Sequence, residues 1–267
     1  MSLWGGRFTQ SPADSVFALS RSIHFDWRLA PYDIVASIAH VHSLQRGGII
    51  DPQTSKALES SLKEIAEEIA AGRFSPQSDD EDVHSALERG LKERLGEKGG
   101  AIRAGRSRND QVVTAFKLYL IDAMNSISAE LVALADAILT LAEGEVATVA
   151  PGFTHLQHAQ PISFGHELAK HAVSIERDIS RIADWNERTD FSPLGSGALA
   201  GSSLPLSPEE TAAELGFAHV ARNSIDAVSD RDFVAEALFI MAMIGIRSEE
   251  HTSELQSPCK SRMPSSA

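Results

Sequence analysis

Apolar residues recur at helical spacing along most of the chain. Ile34, Ile38, Val41 and Leu44 share one face of residues 32–45, Pro31 sits where a first turn tolerates it, and Gly47-Gly48 closes the segment. Leu58, Leu62, Ile65 and Ile69 repeat the pattern over 55–71, and Gly72 stops it. Residues 75–82, SPQSDDED, are a polar, acidic loop. A short helix is predicted over 83–95, bounded by Gly96, with a loop over 99–105.

The scale then changes. From 111 to 143 neither Gly nor Pro interrupts the chain, and Phe116, Leu120, Met124, Ile127, Leu131, Leu134, Ile138 and Leu141 follow one another in steps of three and four, close to a heptad seam. At 1.5 Å per residue this is roughly 50 Å of helix. Asn109 or Asp110 suits its cap. Pro151-Gly152 breaks the chain before a second long helix over 163–188, with Leu168, Ala172, Ile175, Ile179 and Ile182 in register. A Gly/Ser-rich loop over 193–205 and a short helix over 208–215 follow. Residues 225–246 are apolar almost all round after Phe233, so that segment is expected to be buried. The pattern predicts an all-α protein, a bundle of long helices whose continuous stripes need partners, and therefore an oligomer. Residues 1–105 are expected to form an N-terminal helical domain and 106–246 a central, incomplete bundle.

From Arg247 the pattern stops. The stretch RSEEHTSELQS reads as the translation of a sequencing-library adapter, so 247–267 is expected to be an artefactual, disordered tail on a truncated reading frame.

Composition narrows the class. Apolar residues are 43% and charged residues 23%, enough for a real core. A net charge of −13, from 37 acids against 24 bases, argues against nucleic acid or an anionic membrane as partner. The longest apolar run, near 235–246, carries Glu236 and is too short to span a bilayer. Met1–Gly6 is not followed by a secretory h-region, and the lone Cys259 excludes a disulfide framework, so a cytoplasmic location is expected.

Four clusters are candidates for chemistry. Arg103, Arg106 and Arg108 fall within six residues ahead of the longest helix, where guanidinium forks and free backbone N–H groups suit a carboxylate. The same residues also suit a plain capping loop. Thr154, His155, Gln157, His158 and Gln160 crowd a loop between two long helices, with imidazoles able to move a proton or simply to bond helix ends. The spacing of the two histidines and the want of a third ligand argue against zinc. Asp82 and His84 border the acidic loop, and Asp230, Arg231 and Asp232 precede a segment expected to be buried.

These clusters sit inside a longer pattern. Trp4-Gly-Gly-Arg-Phe8, Ser22-Ile-His-Phe-Asp26, Asp80-Glu-Asp-Val-His84, Ala104-Gly-Arg-Ser-Arg-Asn-Asp-Gln111, Gly152-Phe-Thr-His-Leu-Gln157 with Ala159-Gln-Pro161, Pro193-Leu-Gly-Ser-Gly-Ala-Leu-Ala-Gly201, and Asn223-Ser-Ile-Asp-Ala-Val-Ser-Asp-Arg-Asp-Phe233 occur in order. Residues 1–246 thereby resemble the argininosuccinate lyases of the aspartase/fumarase superfamily. The first, fourth and last motifs favour this branch over adenylosuccinate lyase, fumarase or aspartase.

The resemblance implies an all-α homotetramer that cleaves argininosuccinate to arginine and fumarate without metal or organic cofactor, each site assembled from three subunits. It implies that Ser107, Arg108, Asn109 and Ser22 bind substrate carboxylate and that Thr154 contacts substrate. His155 becomes the general acid or the group supporting one, Gln157 and Gln160 line the site, and Asp82, His84 and Arg231 support it. One departure stands out. The family's GSSxMPxKxNP segment, source of the catalytic serine, is absent; Gly201-Ser-Ser-Leu-Pro205 lacks its Met and Lys. The chain by itself is therefore expected to be inactive. An adenylosuccinate lyase-like enzyme and a non-catalytic, crystallin-like relative are the alternatives.

Overall fold

The computed structural model describes residues 13–253. The Trp4–Phe8 motif and residues 254–267 lie outside them. The elements are α1 (Asp14–Ser20), α2 (Ile23–Asp26), α3 (Ala30–Arg46), α4 (Pro52–Ala70), α5 (Val83–Leu95), α6 (Arg108–Gly144), β1 (Val149–Thr154), β2 (Gln157–Ser163), α7 (Phe164–Thr189), β3 (Phe191–Ser192), α8 (Pro208–Glu214), β4 (His219–Val220), α9 (Ser224–Ser229) and α10 (Asp232–Ser253). Two 3-10 turns, Trp27–Leu29 and Gly96–Arg103, complete them. The class is all-α.

The chain divides into two compact units, one of residues up to 119 with 190–230, the other of 120–189 with 231 onward. This differs from a boundary at 105/106. The long helix α6 belongs to both units, because no Gly or Pro marks the change inside it.

In the first unit α3, α4 and α5 bury one apolar stripe each. Val41, Leu58, Leu62, Ile65, Val83 and Leu91 are fully buried or nearly so, and Trp27, Phe116 and Tyr119 pack against them. Asp51 starts α4 by accepting the N–H groups of Gln53 and Thr54 at 2.8 and 2.9 Å. Asp82 starts α5 in the same way, accepting from Ser85 N–H at 2.7 Å while the Ser85 hydroxyl accepts from Asp82 N–H at 3.0 Å, a reciprocal capping box.

In the second unit α7 packs on α10. The buried Trp185 donates its indole N–H to Phe233 O at 2.8 Å, and Arg188 pairs with Glu236. Gly165 opens α7 where a Cβ would stand 2.3 Å from Ala142 O, so only glycine fits. The apolar seam of α6 is buried at Met124 and Leu131, whereas Leu134 and Leu141 are exposed.

Two expectations change here. The stretch read as a loop is an antiparallel β-hairpin, β1 pairing with β2 from Val149↔Ser163 to Thr154↔Gln157. His155 and Leu156 form its two-residue turn with φ of 52° and 63°. Both central residues at positive φ give the twist that hairpins favour. Helix also continues past Ile246, where the sequence pattern was expected to end. α10 runs on to Ser253, since Arg247 to Ser253 contain neither Gly nor Pro, and Arg247 Nε donates to the buried Asp178 Oδ2 at 2.6 Å.

Candidate active site

The arginine-rich loop meets the start of α6 in the first unit, and the local sequence dictates how. Ser107 caps the helix: its Oγ accepts from Asn109 N–H at 3.3 Å, and Asp110 Oδ1 accepts from Ser107 N–H at 3.0 Å. The cap is therefore Ser107 and not Asn109 or Asp110. Asp110, fully buried, turns its other oxygen to the Gly-rich loop and accepts from Gly195 N–H at 3.1 Å and Gly197 N–H at 2.9 Å. Burial raises its carboxyl above the ordinary value, against the three N–H groups that stabilise the anion. Asn109 Nδ2 donates to Ala198 O at 2.8 Å. Gly197, at φ 62° and with a would-be Cβ 2.8 Å from Gly201 O, must be glycine for the loop to fold back so closely. The Gly-rich loop, read from sequence as a flexible neighbour, is thus pinned to the start of α6 at three points.

Together these parts wall a cavity of about 670 Å³. Arg103, Arg106, Ser107, Arg108 and Asn109 line it on one side, and Glu81, Asp82 and Glu88 supply acceptors. Arg108 Nε lies 3.2 Å from Asp82 Oδ2, an ion-pair distance, yet that buried Nε makes no hydrogen bond. A buried guanidinium nitrogen left in this way is an invitation to an oxyanion. His40 is buried and held down to about 3 by its burial and by Arg106, so its neutral ring donates Nε2–H to Ala104 O at 3.0 Å and tethers the arginine loop from below.

A second cavity, about 500 Å³ and largely apolar, shares Asp82 and His84 with the first and adds Ser22, Asp26, Phe116 and Tyr119. Ser22 donates its hydroxyl to Asp26 Oδ2 at 2.5 Å, and Asp26 Oδ1 accepts from Val83 N–H at 3.1 Å. Burial raises the Asp26 carboxyl, the Ser22 bond opposes it, and Asp82 adds to the rise.

Of the residues expected from sequence, Ser22, Asp82, His84, Ser107, Arg108 and Asn109 come together around these two cavities. Thr154, His155, Gln157 and Gln160 belong to the second unit, all exposed on the hairpin, with His155 at its turn. Arg231, also exposed and in the second unit, starts α10 by accepting Val234 N–H and Ala235 N–H at its carbonyl. Among the described residues no group of three or more His, Cys, Asp or Glu side chains is placed to hold a metal ion.

Sequence reading missed the buried supports Asp33 and Lys117, and it placed Asp110 and Gln111 only as a cap candidate and a motif position. Lys117 is fully buried on α6, its Nζ 3.0 Å from the centroid of the Phe191 ring and 3.8 Å from Asp230 Oδ2. Burial depresses it from 10.5 to about 8, while Asp230, Asp226 and Asp190 partly hold it up. Between those values the unfolded chain keeps a proton the folded chain has released, so stability rises with pH. The rise is expected to total up to about 3 kcal/mol. Denaturant unfolding followed across that window measures it, and Lys117→Met is expected to flatten the curve.

A family described as lyase matches residues 6–248. The argininosuccinate lyase of Frankia casuarinae is 56% identical over 246 residues, 92% of this chain and 53% of the relative. That of Acidothermus cellulolyticus is 54% identical over 244 residues, 91% of this chain and 50% of the relative. The chain thus spans about half the length of the relatives it matches. Among solved structures, an EDDS lyase in complex with formate superposes with a TM-score of 0.78 at 28% identity, covering 93% of this chain and 50% of its own.

Proposed function

The chain belongs to the lyase family, and on that premise we propose that the whole protein is an argininosuccinate lyase, releasing fumarate and arginine by β-elimination in the cytoplasm, in the service of arginine biosynthesis. The observation that carries this reading is the two-signed cavity at the start of α6. Its arginine loop suits the carboxylates of a succinyl group, and Glu81, Asp82 and Glu88 suit a guanidinium.

The chemistry explains the residue types. A base removes a proton from the carbon beside a carboxylate, and the charge spreads into that carboxylate as an aci-form. Arg108, Asn109 and Ser107 stabilise this charge as an oxyanion hole would, because their donors are fixed before the charge develops. The departing guanidino nitrogen then needs a proton, which His155 supplies or helps to supply. In a site assembled from three subunits, Thr154, Gln157 and Gln160 of the hairpin hold the substrate, Ser22 binds carboxylate with the arginine loop, and Asp82, His84 and Arg231 support the site. No metal or organic cofactor enters this scheme.

Homotetramer formation is part of the proposal. Exposed Val132, Leu134, Leu139 and Leu141 on α6, with Leu238, Phe239 and Met241 on α10, are large apolar residues on long helices and support burial between copies.

The test joins residues 1–246 to the remaining half of the Frankia relative. The fusion is expected to release fumarate from argininosuccinate, followed by its ultraviolet absorbance. The 267-residue chain is expected to release none, since it lacks the GSSxMPxKxNP serine. Release from adenylosuccinate in place of argininosuccinate, or from neither, would overturn the assignment.

A further inference from the structure

A carboxylate with no part in the scheme above lies beneath the arginine-bearing cavity. Asp33 on α3 has no exposed surface. Its Oδ2 accepts from His84 Nδ1 at 2.8 Å. Gln111 Nε2 donates to both oxygens at 2.9 and 3.0 Å, and Ser37 Oγ donates to Oδ1 at 3.3 Å. Arg106 Nη1 donates to Ser37 Oγ at 2.9 Å. Helices α3, α5 and α6 and the arginine loop all meet on this one group.

Its charge state follows from the same contacts. Burial opposes ionisation, but His84, its hydrogen bonds and Arg106 outweigh burial and hold the carboxyl well below the ordinary range. An anionic carboxylate only accepts, so His84 Nδ1 carries the proton. His84 is itself buried and lines both cavities, and its Nε2 makes no hydrogen bond among the described residues. The charged groups facing this ring are Asp33 from α3 and Asp26 from α2, with Arg106 behind Asp33.

We propose that Asp33 is a positioning residue that locks the proton on His84 Nδ1 and turns Nε2 to the cavities, where Nε2 accepts a hydrogen bond from an N–H at the guanidino end of the substrate. The arginine loop takes the carboxylates and the dyad takes the guanidino end. This rests on the lyase reading. The arrangement repeats the logic by which a buried carboxylate fixes a catalytic imidazole in its useful tautomer.

The test starts on the 267-residue chain, with no activity needed. Its histidines are labelled with nitrogen-15, and long-range proton–nitrogen spectra are recorded with rising pH, His84 being assigned by His84→Gln. The neutral His84 ring is expected to keep its proton on Nδ1; a neutral ring protonated on Nε2 would overturn the proposal, whatever the variants do. Asp33→Asn, which keeps the shape but offers Nδ1 an N–H, is expected to move the proton to Nε2. In the active fusion the same variant is expected to lower kcat by about 100-fold or more with helicity unchanged, as a wrong tautomer does. A moved proton with normal kcat and KM would remove Nε2 from contact with substrate and overturn that part. An inactive wild-type fusion would count against the lyase reading alone, because the tautomer is read independently.

Discussion

Arg108→Ala in the fusion is expected to lower kcat/KM for argininosuccinate by about 10²–10³, roughly 3–4 kcal/mol of transition-state stabilisation. The size follows from the environment of the guanidinium. Its side chain is only 25% exposed, and it stands at the first residue of α6 with a buried Nε that no protein acceptor satisfies. A donor fixed in this way costs no reorganisation when charge appears on the substrate. The fold is expected to survive the change. Asp82 loses an ion-pair partner but keeps its bond to Ser85 N–H at the start of α5, so circular dichroism should match the parent. Near-normal kinetics would mean that the carboxylate is bound elsewhere.

His155→Asn carries the other large effect, about 10²–10⁴-fold in kcat if this imidazole moves or supports the proton for the leaving group. The choice of asparagine is structural. His155 sits at φ 52° in a two-residue turn, and asparagine enters that left-handed region more readily than almost any residue except glycine. The Thr154↔Gln157 pairing is therefore expected to persist, and lost turnover then reports the imidazole itself. Retained turnover would reduce His155 to a turn residue.

Much of this protein was legible before any coordinates. The 3.6-residue stripes marked α3, α4, α6 and α7 because burying one face over several turns leaves a periodic record, whereas α10, read as buried because it is apolar almost all round, leaves Leu238, Phe239 and Met241 exposed. The hairpin left none. Most of the residues on β1 and β2 are exposed, so no alternation separates an inner from an outer face, and Pro151, Gly152 and Pro161 read as breakers. The continuation of α10 past Arg247 was hidden by a change of composition, although nothing before Pro258 forbids helix.

The site divides in the same way. Arg103, Arg106 and Arg108 stood out because three arginines crowd six residues of an acidic chain, whereas Ser107 and Asn109 were marked only by the family resemblance. Asp33 stood out in nothing. It is one polar residue in an apolar stripe, and its partners His84 and Gln111 are 51 and 78 residues away. Asp110 holds glycines 85 and 87 residues distant. Buried polar networks of this kind are written in tertiary proximity, which a linear pattern does not record.

The most direct measurement is a crystal structure of the active fusion soaked with fumarate. A carboxylate of the product seated within hydrogen-bonding reach of the Arg108 guanidinium and the Asn109 amide is the predicted result. Fumarate bound away from the arginine loop, with Arg108 still facing only Asp82, would contradict the account.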